Sequence, residues 1–65
     1  MEEWQQRTVA EKELLDEKLA KLNKFIETDP LYQGLPVVQA DLMSDQAMAM
    51  SEYSRILGLR ISYFK

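Results

Sequence analysis

Both prolines and one of the two glycines of this 65-residue chain fall in one stretch, Thr28-Asp29-Pro30-Leu31-Tyr32-Gln33-Gly34-Leu35-Pro36. Proline removes a backbone donor and clashes with the preceding helical turn, so no single helix can run through this stretch. On either side Ala, Leu, Glu, Lys, Gln, Met and Arg dominate, and turn dipeptides are absent. The chain therefore reads as one domain, residues 1–65, of two helices and a hinge. Helix one covers about residues 2–27, the hinge about 28–36 and helix two about 36–63. Glu2 and Glu3 stand where the first-turn dipole favours anions. Pro36 suits a first helical turn, where its missing N–H is no loss. Thr28 or Asp29, before Pro30, can cap a single helical turn inside the connection.

At about 100° per residue, Trp4, Thr8, Glu11, Leu15, Leu19, Leu22 and Ile26 fall within roughly 40° of one direction on helix one. This is a stripe of the width a packed helix shows. A shoulder about 90° away holds Leu14 and Phe25 with Arg7, Lys18 and Lys21. On helix two, Leu42, Gln46, Ala49, Tyr53, Leu57, Arg60 and Phe64 line up, with Val38, Met50 and Ile56 at the edges. A short connection makes the helices antiparallel neighbours. Matching the two stripes brings Ile26 to Val38, Leu22 to Leu42, Leu15 to Ala49, Glu11 to Tyr53 and Trp4 to Arg60.

A second seam of small residues, Ala40, Ser44, Ala47, Ser51, Ser54, Gly58 and Ser62, recurs along helix two at helical spacing. It lies away from the Tyr53 stripe and suits close helix-on-helix contact between subunits; the plainer reading is a solvated face. With two apolar faces on helix two, the expected fold is all-α: an antiparallel two-helix hairpin that assembles into a homo-oligomeric helical bundle. Chains this small usually need a disulfide, a metal or partner subunits. The chain has no cysteine and no histidine, so disulfides, zinc sites of Cys and His, and Ser/His/Asp or Cys/His catalysis are excluded. Self-association is the staple that remains.

The formal net charge is −3 and the pI about 4.8, which argues against DNA or RNA as the partner. No apolar run approaches a membrane span, and no signal-peptide pattern opens the chain. We expect a cytoplasmic protein with no membrane partner and no cofactor. The single carboxylate on a packed stripe is Glu11, and its plain reading is a hydrogen bond or ion pair to Tyr53 or Arg60. No inward carboxylate pair and no Gly-rich phosphate loop occur, so no enzyme is expected. Lys12, Lys18 and Lys21 read most simply as partners of acids such as Asp16 and Glu17. Trp4, Tyr53, Tyr63 and Phe64 gather near the open end with Arg7, Arg55, Arg60 and Lys65. That mixture can stack a base and hold a phosphate, or merely finish the core.

Two segments sharpen this choice. Helix one reads Arg7-Thr8-Val9-Ala10-Glu11-Lys12-Glu13-Leu14-Leu15-Asp16-Glu17-Lys18-Leu19, then Lys21-Leu22 and Phe25-Ile26. Helix two ends Met50-Ser51-Glu52-Tyr53-Ser54-Arg55-Ile56-Leu57-Gly58-Leu59-Arg60-Ile61. Over nearly its whole length the chain resembles the phage helical-hairpin cyclic-nucleotide sponges, which include the anti-CBASS sponge and the hairpin portion of a Thoeris anti-defence sponge. The resemblance implies a homo-oligomer, a hexamer, that acts in the infected bacterial host. It also implies sequestration, without cleavage, of cyclic di- and trinucleotides in separate pockets between subunits. By the same resemblance Trp4 stacks on a base, and Arg7, Lys12 and Lys18 hold phosphate. Arg60 contributes near a symmetry axis, and Thr8 and Tyr53 complete the ligand-binding set. The alternative is a structural or adaptor hairpin that docks a protein partner through the small-residue seam and the Leu14/Phe25 shoulder.

Overall fold

The computed structural model describes Met1 to Lys65 as an all-helical hairpin. Helix α1 spans Glu3–Thr28, a single turn α2 spans Pro30–Gln33, and α3 spans Val37–Ser62. The molecule is a rod of 47 × 15 × 14 Å, so its core is one seam between α1 and α3.

The hinge follows from its residues. The Asp29 carboxylate accepts from the Leu31 amide at 2.9 Å and caps α2, whose first residue is Pro30. The Thr28 hydroxyl donates to the Lys24 carbonyl at 2.7 Å as α1 ends. Tyr32 then fastens the turn to both long helices. Its ring meets Phe25 edge-on at 6.2 Å, and its hydroxyl donates to the Ala40 carbonyl at 3.2 Å. Pro36 is the N-cap of α3, in extended backbone with φ −54° and ψ 143°.

On α1 the inner face contains Thr8, Leu15, Leu19, Leu22 and Ile26, all buried or half-buried. Glu11 and Trp4, expected on the same stripe, are exposed. The inner face of α3 is rotated from the stripe expected of it: Leu57 and Phe64 of that stripe lie inside as expected, with Met50 at its edge, but the other members do not. The half-buried or buried positions are Ala40, Met43, Ala47, Met50, Ser54, Leu57, Gly58, Ile61 and Phe64. Leu42, Gln46, Ala49, Tyr53 and Arg60 are exposed instead. Four members of the small-residue seam, Ala40, Ala47, Ser54 and Gly58, thus belong to the interior. The physical reason is separation: opposite Leu15, Leu19 and Leu22, small residues let the two backbones come close, whereas Leu42 and Tyr53 would hold them apart.

The register also differs from the expected one by about one turn. Trp4 meets Phe64 rather than Arg60, and Arg60 lies level with Thr8. A polar cluster holds this register. The Lys12 ammonium donates to Asp16 Oδ2 at 2.7 Å and to Ser54 Oγ at 3.0 Å, and the Ser54 hydroxyl donates to Asp16 Oδ1. Gly58 makes room for it, because a Cβ there would stand 3.3 Å from Lys12 Cε.

Candidate ligand-binding site

The open end of the hairpin gathers the chemistry of interest. Trp4, in the first turn of α1, is 50% exposed. Its indole packs edge-on against Phe64, with ring centroids 5.1 Å apart at 80°. Phe64 thus fixes the indole on one side while half of the residue's surface stays open. Thr8, one turn further along α1, is 4% exposed. Its hydroxyl donates to the Trp4 carbonyl at 2.9 Å and accepts from Arg60 at 3.5 Å. The second contact is long and gives the guanidinium an orientation more than a strong partner. Gln5, 6% exposed, closes the helix start by accepting from the Glu2 amide at 2.8 Å.

Charge pairing separates the basic residues. The ion pairs are Arg7–Glu3 at 2.8 Å, Lys12–Asp16, Lys21–Glu17 at 3.5 Å and Arg55–Glu52. Of the three arginines, Arg60 alone has no carboxylate. Its expected partner Glu11 is exposed and makes no ion pair. Arg60 therefore keeps its charge and most of its five donors available beside Thr8, one turn along α1 from Trp4. The Lys12 and Ser54 hydrogen bonds hold the Asp16 carboxyl below its ordinary value. The Arg55 hydrogen bond does the same for Glu52.

The candidate ligand residues do not form one cluster. Trp4, Thr8 and Arg60 are brought together. Arg7 is on an exposed face and tied to Glu3. Lys12 is built into the interhelix cluster, so its charge is already neutralised. Lys18 is exposed and unpaired, but lies about 21 Å along α1 from Trp4 at 1.5 Å per residue. Tyr53 is 43% exposed and stands about 10 Å along α3 from Arg60. Two further residues matter. Phe64 fixes the indole, and Ser54 holds the Lys12 cluster across the seam. Phe64 was visible as an aromatic at the open end, but nothing in the sequence signalled a partner across the seam for Lys12.

The open end presents a surface rather than a cavity, and the one concavity of the hairpin is an open cleft of about 420 Å³ at the hinge, lined by Lys21, Lys24, Phe25, Thr28, Asp29 and Pro30. It is a poor anion site. It lies at the carboxyl end of α1, where the helix dipole repels anions. Asp29 also stands in its wall, and Lys21 is paired with Glu17. The open end is the better candidate.

No group of His, Cys, Asp and Glu side chains could hold a metal ion. No helix is long and apolar enough to cross a membrane. No curated protein and no solved structure matches the chain. The family model described as Sequestin matches residues 2–63, all but the ends of the sequence. On that match over nearly its full length, the chain belongs to the Sequestin family.

Proposed function

We propose that this protein binds and sequesters cyclic oligonucleotide second messengers, cyclic di- or trinucleotides, without cleaving them. It acts as a homo-oligomer, a hexamer by the resemblance in its sequence, and blocks CBASS-type immune signalling in a phage-infected bacterium. The observation that carries the reading is that Thr8 bonds both the backbone of the half-exposed Trp4 and Arg60, an arginine that has no carboxylate. The ring offers a stacking surface for a base, and the guanidinium offers charge-assisted hydrogen bonds to a phosphate. The Sequestin name fits a sequestering role, and the resemblance to phage sponges points to the ligand class. On this reading the ligand is held and released intact.

Isothermal titration with a panel of cyclic di- and trinucleotides tests the reading. Trp4→Ala is expected to weaken binding by about 1–3 kcal/mol, the usual worth of a stacked base. Arg60→Met is expected to weaken it by about 1.5–3 kcal/mol, the range for hydrogen bonds to a charged group. Unchanged affinity in both variants would remove the open end as the site. The adaptor reading draws its support from the exposed apolar surface of α3, where Val38, Leu42 and Ile56 stand open.

A further inference from the structure

Thr8 is a polar residue in the wall of the open end, yet it is only 4% exposed. A side chain so covered presents almost no surface to a ligand. Its hydroxyl has one hydrogen, and that hydrogen goes to the Trp4 carbonyl at 2.9 Å. The oxygen can then only accept, and the group that meets it is Arg60 Nη2 at 3.5 Å. An arginine offers donors alone, so the two sides match in one sense only. In the regular helical ladder the Trp4 carbonyl already receives the Thr8 amide. The hydroxyl bond is therefore one the backbone does not require, and its effect is to fix where the Thr8 oxygen points.

The identity of the arginine atom matters. A guanidinium can grip a phosphate with two parallel N–H bonds along either of two edges, Nε with Nη2 or Nη1 with Nη2. Nη2 belongs to both edges and gives one hydrogen to each. Thr8 takes one of those hydrogens and leaves the other edge whole. Arg60 is exposed, so this remaining fork is open to a ligand. No carboxylate competes for it, because the arginine ion pairs are those of Arg7 with Glu3 and Arg55 with Glu52. The same hydroxyl is tied to the backbone of Trp4, one turn or about 5.4 Å along α1. One buried oxygen thus relates the stacking ring to the phosphate clamp.

We infer that Thr8 is a positioning residue of the ligand site. It touches no ligand, and it acts by holding the Arg60 guanidinium so that a single fork edge is presented to a single phosphate. The purpose of this arrangement rests on the ligand reading above, but the Thr8–Arg60 contact is testable without any ligand.

Thr8→Val keeps the shape of the side chain and removes the acceptor, whereas Thr8→Ser keeps the acceptor. In heteronuclear NMR spectra of the free protein, the Arg60 guanidinium is expected to be restrained in the wild type and in Thr8→Ser. In Thr8→Val it is expected to rotate freely about its Cζ–Nε bond. Titrations with cyclic di-GMP and cyclic tri-AMP then read the consequence. For whichever of the two the wild type binds, Thr8→Val is expected to raise the dissociation constant about threefold to tenfold, the worth of one neutral hydrogen bond. Thr8→Ser is expected to stay near the wild type. In an Arg60→Met background Thr8→Val is expected to cost nothing further, because its effect passes through Arg60. Equal Arg60 mobility in the wild type and Thr8→Val would overturn the positioning role, and so would a Thr8→Val loss that persists in Arg60→Met. Absence of binding by the wild type would overturn the ligand reading instead, and the guanidinium measurement would still decide the contact.

Discussion

Comparing Leu57→Ala with Leu42→Ala, two residues of one expected stripe, tests directly which part of α3 faces α1. Leu57 is 1% exposed and is the one large side chain fully buried. Truncating a buried leucine forfeits the transfer energy of the lost carbons and leaves a cavity, together about 2–5 kcal/mol. A two-helix seam with open margins relaxes more readily than a deep core, so we place the loss near 3 kcal/mol. A single small core supplies about 3–5 kcal/mol in all, so the variant loses most of the stability of the hairpin. Leu42→Ala removes the same atoms from a side chain that is 56% exposed. Within one protomer that loss is under about 1 kcal/mol. Urea unfolding followed by circular dichroism and Trp4 fluorescence, across a wide range of protein concentration, separates the two. Leu57→Ala is expected to lower the midpoint at every concentration. Leu42→Ala is expected to lose chiefly the part of the stability that grows with concentration. A Leu57→Ala loss below about 1 kcal/mol, or a larger loss from Leu42→Ala at the lowest concentration, would refute the assignment of the faces.

Other consequences follow from the polar cluster and the aromatic end. Gly58→Leu pushes into Lys12 Cε and is expected to destabilise by about 1–3 kcal/mol in thermal melts, despite the better helix propensity of leucine. The folded-state values of Asp16 and Glu52 are depressed, so their contribution is in place above the ordinary carboxylate range. It is lost as pH falls below about 4 through the lower folded values. Asp16→Asn combined with Glu52→Gln is expected to flatten the acid limb of a stability-against-pH curve, and an unchanged limb would contradict that origin. Phe64→Ala removes the edge contact on the indole. It is expected to shift Trp4 emission to the red and to weaken the open end by about 0.5–1.5 kcal/mol beyond its area term.

Much of the fold was legible from where its breakers fall. Pro30, Gly34 and Pro36 leave no room for one long helix, and the cap at Asp29 follows from its place before Pro30. The inner face of α1 was also legible, because Leu15, Leu19, Leu22 and Ile26 stand against a charged opposite side. α3 was not legible in the same way, since both of its faces are apolar and periodicity cannot choose between them. Backbone approach decides: Ala40, Ala47 and Gly58 admit α1 closely where Leu42 and Tyr53 do not. A helix-interior glycine, at about 1 kcal/mol relative to alanine, signals a steric need, and here the need is Lys12. The i,i+4 pairing of Lys12 with Asp16 was readable from spacing, but the Ser54 hydroxyl that completes it comes from the other helix. Of the candidate ligand residues, Trp4, Thr8 and Arg60 converge through the hairpin register, which no local pattern encodes. Arg7 and Lys12 are taken up by carboxylates, Arg7 by Glu3 and Lys12 by the Asp16 that its spacing already suggested.

Native mass spectrometry of the protein with a mixture of cyclic di- and trinucleotides tests the central claim most directly, because it reads assembly and ligand together. The account predicts an oligomer carrying adducts of intact cyclic nucleotide, with masses that identify the ligand and the number of sites. An oligomer free of adducts at concentrations well above micromolar, or adducts only of linearised product, would contradict it.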